Sequence, residues 1–300
     1  INGTTWVVDL AVRRRIIIEN IVENFLSTSL AMETLSNNAT RLIGPLLTGL
    51  LYIAIGLQGL FLILFILYLN ALILIIFFQR NSEEDQINHS NKLAFYSELV
   101  NSLDNIKKTI IHGFKETKLR LLLIVTLIFN IFGFPLISLV PVYGKNNLSL
   151  NEFDIGVLTS SEGLGALIGS LIIAKISPQK KLSILFLTGC IGFFIGMITF
   201  SFSPNLFSGF VCLTFGGIFL SGFSTMQGAL TYRSANKGAR GHNFGILVTC
   251  IGLAPLGLIY LSFLIVSFPV ENLIQVNCCM ALLLLIFIGY LIYKKKFIIF

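Results

Sequence analysis

Residues 28–52 read TSLAMETLSNNATRLIGPLLTGLLY, a stretch long enough to cross a membrane that nevertheless carries charged and amide side chains. Glu33, Asn37 and Arg41 follow one another at intervals of four residues, so they share one face of a helix. An arginine at the centre of a bilayer costs roughly 2.5–3.5 kcal/mol even on lenient insertion scales. The stretch therefore predicts a membrane helix whose polar face meets a polar cavity or a partner helix.

The composition of the whole chain also indicates a membrane protein. Hydrophobic residues make up 55% of it, the mean hydropathy is +0.87, and 12% of residues are charged, against about 25% in soluble domains. The five cysteines all fall in apolar stretches and lack the spacing of a disulfide framework or a metal site. The three histidines are far apart, and no catalytic motif is present. We therefore predict neither an enzyme, nor a cofactor, nor a metal site.

Eight apolar stretches of membrane-spanning length divide the chain and predict an all-α polytopic membrane protein. Their predicted bounds are 28–52, 57–78, 119–141, 155–174, 182–203, 206–231, 244–267 and 272–293. After the second span, residues 92–118 place apolar side chains at helical spacing among charges, which predicts an amphipathic helix on the membrane surface. We interpret it as a cover for one end of the bundle, with a regulatory role as the alternative.

The charges of the loops predict the orientation. Of the 21 Lys and Arg residues, all except Lys145 and Arg41 lie in loops on one side of the membrane. The positive-inside rule places that side, together with the C-terminus, in the cytoplasm. We expect a multi-pass protein of the plasma or bacterial inner membrane. The basic residues then orient the chain and contact anionic lipid, and binding to nucleic acid is not predicted.

Spans one and seven repeat a short pattern, in which a small residue precedes a mid-helix proline and a glycine follows. Each proline predicts a bend in its helix. Span seven is the fifth of six spans after the long loop. If span one is the fifth helix of an equivalent unit, four more helices precede residue 1, and the fold is a twelve-helix transporter of two parallel six-helix halves. The two motifs are Gly44-Pro45 with Gly49, and Ala254-Pro255 with Gly257.

These residues resemble a known family. The run Asn38-Ala39-Thr40-Arg41-Leu42-Ile43-Gly44-Pro45-x-x-Thr48-Gly49 looks like helix 5 of the major facilitator superfamily, and more narrowly of the bacterial exporters grouped with the enterobactin and macrolide efflux proteins. It resembles the superfamily's antiporter signature, with Thr48 in place of the first terminal glycine. The run Arg240-Gly241-His242-x-x-Gly245 is similar to the loop between helices 10 and 11.

The resemblance implies a division of the chain. Residues 1–78 would be the remainder of an N-terminal half, with the end of helix 4 and helices 5 and 6. Residues 79–118 would be the cytoplasmic loop between the halves, and residues 119–300 the C-terminal six-helix half.

Six polar side chains within the spans are candidates for binding substrate or coupling to protons. Glu162, about two turns inside span four, is the leading candidate for coupling, because a carboxyl among apolar groups can exchange a proton near neutral pH. Arg41 stays charged and is expected to pair with Glu33, with Glu162 or with an anionic substrate. Two amides are included because the resemblance places them on helices that line the cavity. The full set is Glu33, Asn37, Arg41, Asn130, Glu162 and Gln227.

Three functions fit these observations. The first is a secondary-active exporter of a small amphipathic molecule, such as a drug or siderophore, which works by alternating access and is driven by proton entry. The second is a lipid-handling flippase or intramembrane enzyme that uses the same polar cavity. The third is a membrane assembly protein whose intramembrane charges only pair helices. For the exporter we expect a monomer with a small-molecule substrate, protons and membrane lipid as its partners.

Overall fold

The computed structural model describes residues 26–82, 117–176, 182–234 and 240–294, and every regular element in these ranges is helical. This confirms the predicted all-α fold. The predicted surface helix at 92–118 lies almost wholly outside the described residues. In chain order the elements are α1 (Leu26–Ser82), α2 (Thr117–Ile128), a π-helical turn (Phe129–Gly133), α3 (Phe134–Asn146), α4 (Glu152–Ile176), α5 (Leu182–Phe200), α6 (Leu206–Arg233), α7 (Arg240–Ile251), α8 (Ala254–Leu264) and α9 (Val270–Lys294).

Helix α1 is interrupted at Gly56. Its 57 residues would measure about 86 Å as a straight helix, nearly three times the thickness of the hydrocarbon core. Gly56 has φ 65 and ψ −177, a conformation open almost only to glycine. A Cβ built on Gly59 would lie 2.7 Å from the Cβ of Ile55, whereas residues four apart in a regular helix keep these atoms about 5–6 Å apart. The chain therefore turns sharply at Gly56.

This break lies between predicted spans one and two and is separate from the bend predicted at Pro45. The backbone keeps helical φ/ψ through Gly44 and Pro45, and within α1 only Gly56 departs from it. A proline removes one backbone hydrogen bond but its φ suits a helix, whereas a positive φ ends the helical path. The two segments, 26–55 and 57–82, meet between the predicted spans one and two.

Seven segments of the described chain are long and apolar enough to cross a membrane. The prediction had eight, because it divided α1 into two spans. The six later crossings correspond one to one with predicted spans three to eight. The crossing that corresponds to span three extends to Asn146, because α3 continues through Pro141. The segments are Leu35–Leu74, Leu119–Asn146, Glu152–Lys175, Leu182–Phe200, Leu206–Arg233, Asn243–Leu264 and Val270–Tyr290.

Helix α1 buries polar side chains and exposes apolar ones. Glu33 and Asn38 are only 8% and 3% exposed, whereas Phe61, Phe65 and Leu74 are 61%, 64% and 69% exposed. A helix of a soluble protein has the opposite arrangement. The apolar side chains of α1 therefore suit lipid as their solvent, and its polar face meets the protein, chiefly α4.

The apolar core lies among the later helices and is centred on aromatic rings. Phe129 of the π-turn packs against Phe193 of α5 and Phe223 of α6, with ring centroids 5.1 and 4.3 Å apart. Phe186 stacks on Phe223 at 4.9 Å. Offset and edge contacts of this kind add about 0.5–1.5 kcal/mol per pair to the burial of the rings. The π-turn is thus fixed against α5 and α6.

Hydrogen bonds join the loops at one end of the bundle. The Tyr143 hydroxyl of α3 lies 3.0 Å from the carbonyl oxygen of Ser201 and 3.1 Å from that of Ser203, just after α5. The Asn147 side-chain amide donates to the Glu271 carboxylate at the start of α9, at 2.7 Å. The α3–α4, α5–α6 and α8–α9 connections therefore share one end, as the alternation of loops requires.

Candidate functional site

The contact between α1 and α4 is made by glycines that bring the two backbones together. Gly49 of α1 lies opposite Gly156 of α4. A Cβ added to Gly156 would lie 2.6 Å from the carbonyl oxygen of Pro45, and one added to Gly163 would lie 2.5 Å from the carbonyl carbon of Arg41. Neither position has room for a side chain. Small residues allow membrane helices to approach this closely, so α1 and α4 pack with little interlocking of side chains.

A charged pair joins the same two helices. The Arg41 guanidinium donates from Nη2 to Oε1 of Glu162 at 2.5 Å. Glu162 is 6% exposed, whereas the Arg41 side chain is 35% exposed. Because Gly163 follows Glu162 and carries no side chain, the carboxylate reaches α1 without hindrance. Of the three partners considered for Arg41 from the sequence, the structure places Glu162 beside it.

The pair lies near the middle of the helical segment that precedes Gly56. Arg41 is fifteen residues from Leu26 and from Gly56, which is about 22 Å from each end of that helical segment. A single charge within a membrane crossing is expensive, and a buried pair needs close geometry to offset the loss of hydration. The contact between Arg41 and Glu162 supplies that geometry.

The other members of the polar face of α1 have different surroundings. Glu33 is buried and Asn37 is half-buried. Asn38, which is 3% exposed, has a side-chain nitrogen without a hydrogen-bond partner among the described residues. Thr48 is exposed, and its hydroxyl donates to the carbonyl oxygen of Gly44 in its own helix at 2.8 Å. The polar face of α1 is therefore buried mainly before Arg41 in the chain, and it is exposed after Arg41, at Thr48.

Helix α4 has a second glycine contact, with α6. Gly165 faces the carbonyl oxygen of Thr214, and Gly217 of α6 faces the carbonyl oxygen of Glu162 itself. In both places a Cβ would overlap the opposite backbone. Glu162 therefore lies on a helix held closely on two sides, and its carboxyl group is directed to α1.

A second, uncharged cluster joins α2, the π-turn and α6. The Asn130 side-chain amide donates to the carbonyl oxygen of Thr126, and the Gln227 amide donates to the Thr126 hydroxyl, both at 2.9 Å. Asn130, Thr126 and Gln227 are 5%, 0% and 6% exposed. The two amides were predicted from the sequence, whereas Thr126 was not. Its position four residues before Asn130 was the available signal.

The interruption near Pro255 is present. Span seven divides into α7 and α8, and Pro255 lies in the first turn of α8, where a missing N–H is tolerated. Gly257 lies against the π-turn. A Cβ on Gly257 would overlap the carbonyl oxygen of Ile131 and would lie 2.5 Å from Cγ of Pro135. This glycine is therefore a point of close backbone approach.

The structure thus brings the candidates together in two groups, Arg41 with Glu162 and Asn130 with Gln227. No hydrogen bond described between these residues links the two groups. Within the described ranges, no group of three or more His, Cys, Asp or Glu side chains could hold a metal ion. The first group offers electrostatic pairing between a carboxylate and a guanidinium on two helices.

These features define a polytopic helical membrane protein with a charged pair inside its bundle. The sequence model of the Major Facilitator Superfamily matches residues 10–256 and, in a second match, residues 145–297. The chain belongs to the Major Facilitator Superfamily, and its members are membrane transporters. Searches of curated proteins and of solved structures gave no match.

Proposed function

We propose that this chain takes part in proton-coupled export of a small amphipathic molecule by alternating access, with Glu162 as the proton acceptor. The observation that carries the proposal is the ion pair between Glu162 and Arg41 at the α1–α4 contact. This contact between a carboxylate and a guanidinium joins two different membrane crossings, and the Glu162 side chain is buried.

Protonation of Glu162 would change how strongly α1 and α4 attract each other. The ionised carboxylate attracts Arg41, and two unit charges 4 Å apart attract by about 4 kcal/mol at an effective dielectric constant of 20. The neutral acid lacks this attraction. The attraction between Glu162 and Arg41 is weaker than this value, because the Arg41 side chain is 35% exposed and solvent weakens the pair. Proton uptake therefore favours separation of the helices.

The glycine contact suits such a movement. Gly49, Gly156 and Gly163 bring backbones together without interlocking side chains, so α1 can shift along α4 without disrupting a packed apolar layer. We propose that α1 belongs to an N-terminal half of the transporter and residues 119–300 to the C-terminal half. The ion pair would then cross between the halves, which is where alternating access requires contacts to form and break.

The wider setting follows from the same proposal. The transporter would be a monomer in the plasma or bacterial inner membrane, with its C-terminus in the cytoplasm and without a cofactor. Its transported substrate would be a drug-like or siderophore-like molecule.

The test compares Glu162→Gln with the wild-type protein in proteoliposomes under an imposed pH gradient, with efflux of a fluorescent amphipathic dye as readout. We expect the variant to lose the dependence of dye efflux on the gradient. Glu152→Gln is the matched control, because Glu152 lies on the same helix but forms an exposed pair with Lys145. Gradient-driven efflux that persists in Glu162→Gln would refute Glu162 as the coupling residue.

The same vesicles separate the other functions. Movement of a fluorescent lipid between leaflets, without movement of the dye, would favour a flippase. Absence of both movements in the wild-type protein would favour a non-transporting assembly role.

A further inference from the structure

Two prolines weaken two neighbouring membrane crossings at the same level. In the crossing formed by α2 and α3, the π-turn at Phe129–Gly133 comes directly before Pro135. In the crossing formed by α7 and α8, the helix is interrupted directly before Pro255. Each proline removes the donor that the carbonyl four residues earlier would use and crowds that carbonyl. In both crossings the residue four before the proline is an isoleucine, Ile131 or Ile251.

The wider π-turn relieves the crowding between Pro135 and the carbonyl four residues earlier. Phe134 donates its backbone N–H to the carbonyl oxygen of Phe129, five residues back. The Asn130 side chain supplies a donor to the Thr126 carbonyl oxygen at 2.9 Å. Short π-helical turns and proline sites are both positions at which a helix bends.

The two weakened sites touch each other. Gly257, two residues after Pro255, meets the Ile131 carbonyl oxygen and lies so close to Pro135 that it has no room for a Cβ. On one side of this level α2 packs against α7, and on the other side α3 packs against α8. The four segments therefore form two parallel pairs that share one break.

One cross-helix hydrogen bond fastens the α2–α7 pair to its neighbour. Gln227 of α6 donates to the Thr126 hydroxyl of α2 at 2.9 Å, inside the bundle. A hydrogen bond between membrane helices contributes about 0.6 kcal/mol on average and at most about 1.7. A contact of that strength can break and re-form during a transport cycle.

We propose that α2 and α7 move together as one gate, hinged where the π-turn meets Gly257 and latched by the bond between Gln227 and Thr126. The segment α3 stays in place, because the Tyr143 hydroxyl bonds the carbonyl oxygens after α5 and the Asn147 amide bonds Glu271 of α9. The segment α8 stays with it, because α8 packs against α3. The gate does not depend on which substrate is carried or on proton coupling.

The test is hydrogen exchange measured by mass spectrometry on the purified full chain in detergent, which needs no substrate. In the wild-type protein we expect backbone amides of α2 and α7 to exchange together and faster than those of α3 and α8. Pro135→Ala restores a backbone donor and closes the π-turn, so it should slow exchange about 10-fold in both α2 and α7. Pro255→Ala should do the same from the other crossing. Pro141→Ala is the control, because Pro141 lies within α3, and it should leave both rates unchanged.

Gln227→Leu supplies an opposite and independent change. Loss of the latch should speed exchange of α2 and α7 together. The proposal is overturned if a proline variant slows only its own crossing, if Pro141→Ala acts like Pro135→Ala, or if Gln227→Leu speeds α2 without α7.

Discussion

Alanine at Gly163 should separate α1 from α4 and lengthen the contact between Arg41 and Glu162 without removing either charge. A Cβ at this position would lie 2.5 Å from the carbonyl carbon of Arg41 and from the backbone nitrogen of Leu42. Carbon atoms in contact prefer about 3.5–4.0 Å, so α1 has to retreat by about 1 Å. The same shift would lengthen the 2.5 Å contact between Arg41 and Glu162 to about 3.5 Å, beyond the normal range of a hydrogen bond.

The stability change follows from two opposing effects. Inserting a methyl group into a well-packed contact costs about 1–3 kcal/mol, and replacing glycine by alanine within a helix returns about 0.5–1 kcal/mol. We expect a net loss of about 1–2 kcal/mol in the free energy of unfolding. Thermal unfolding of the purified protein in detergent should show a fall in Tm of a few degrees.

Gly228→Ala is the matched control for this measurement. Gly228 also lies within a membrane helix, α6, and a Cβ there meets nothing within 4 Å. Its Tm should stay the same or rise. In the dye-efflux assay, Gly163→Ala should weaken dependence on the pH gradient, and it should have no further effect on that dependence when combined with Glu162→Gln. A Gly163→Ala protein that matches Gly228→Ala in both Tm and gradient dependence would show that the two backbones are not in contact.

Two further changes test other parts of the fold. Gly56→Ala puts a side chain on a residue with φ 65, which should cost about 1–3 kcal/mol of stability and lower Tm. Gly245→Ala is the control, because a Cβ on Gly245 in α7 meets nothing within 4 Å, and it should not lower Tm. Equal Tm values for the two variants would contradict the sharp turn in α1. Tyr143→Phe removes the hydroxyl that bonds the carbonyl oxygens after α5 and should lower stability by about 1–3 kcal/mol. Tyr260→Phe should leave it unchanged or raise it, because the Tyr260 hydroxyl has no hydrogen-bond partner among the described residues, and a similar loss in both variants would refute the bond.

Much of the fold could be predicted because lipid imposes a simple rule on sequence. Each crossing must be apolar over about 20 residues, so the third to eighth spans are visible as separate stretches and their order follows the chain. The gap between predicted spans one and two, residues 53–56, contains the break of α1 at Gly56. The sequence did not show that Gly56 has a positive φ, because glycine adopts positive and negative φ about equally readily.

The site could be predicted on one helix but not across helices. The spacing of Glu33, Asn37 and Arg41 defines a polar face, since helical geometry alone fixes it. The partner of Arg41 lies 121 residues away on another helix, and no periodicity within one span indicates which acid it meets. The Thr126 hydroxyl was missed for a different reason, because a single threonine in an apolar span usually bonds its own backbone.

The glycines and the ion pair at the α1–α4 contact depend on each other. A guanidinium and a carboxylate on separate helices meet at 2.5 Å only if the two backbones are close, and Gly163 permits that distance at the residue next to Glu162. A larger side chain there would move Arg41 away from Glu162 and weaken the pairing that offsets the cost of a charge within a membrane crossing. The absence of a side chain at Gly163 therefore helps α1 to carry a charge. Substitutions at Gly163 should be more harmful in the wild-type protein than in one where both Arg41 and Glu162 are replaced by neutral residues.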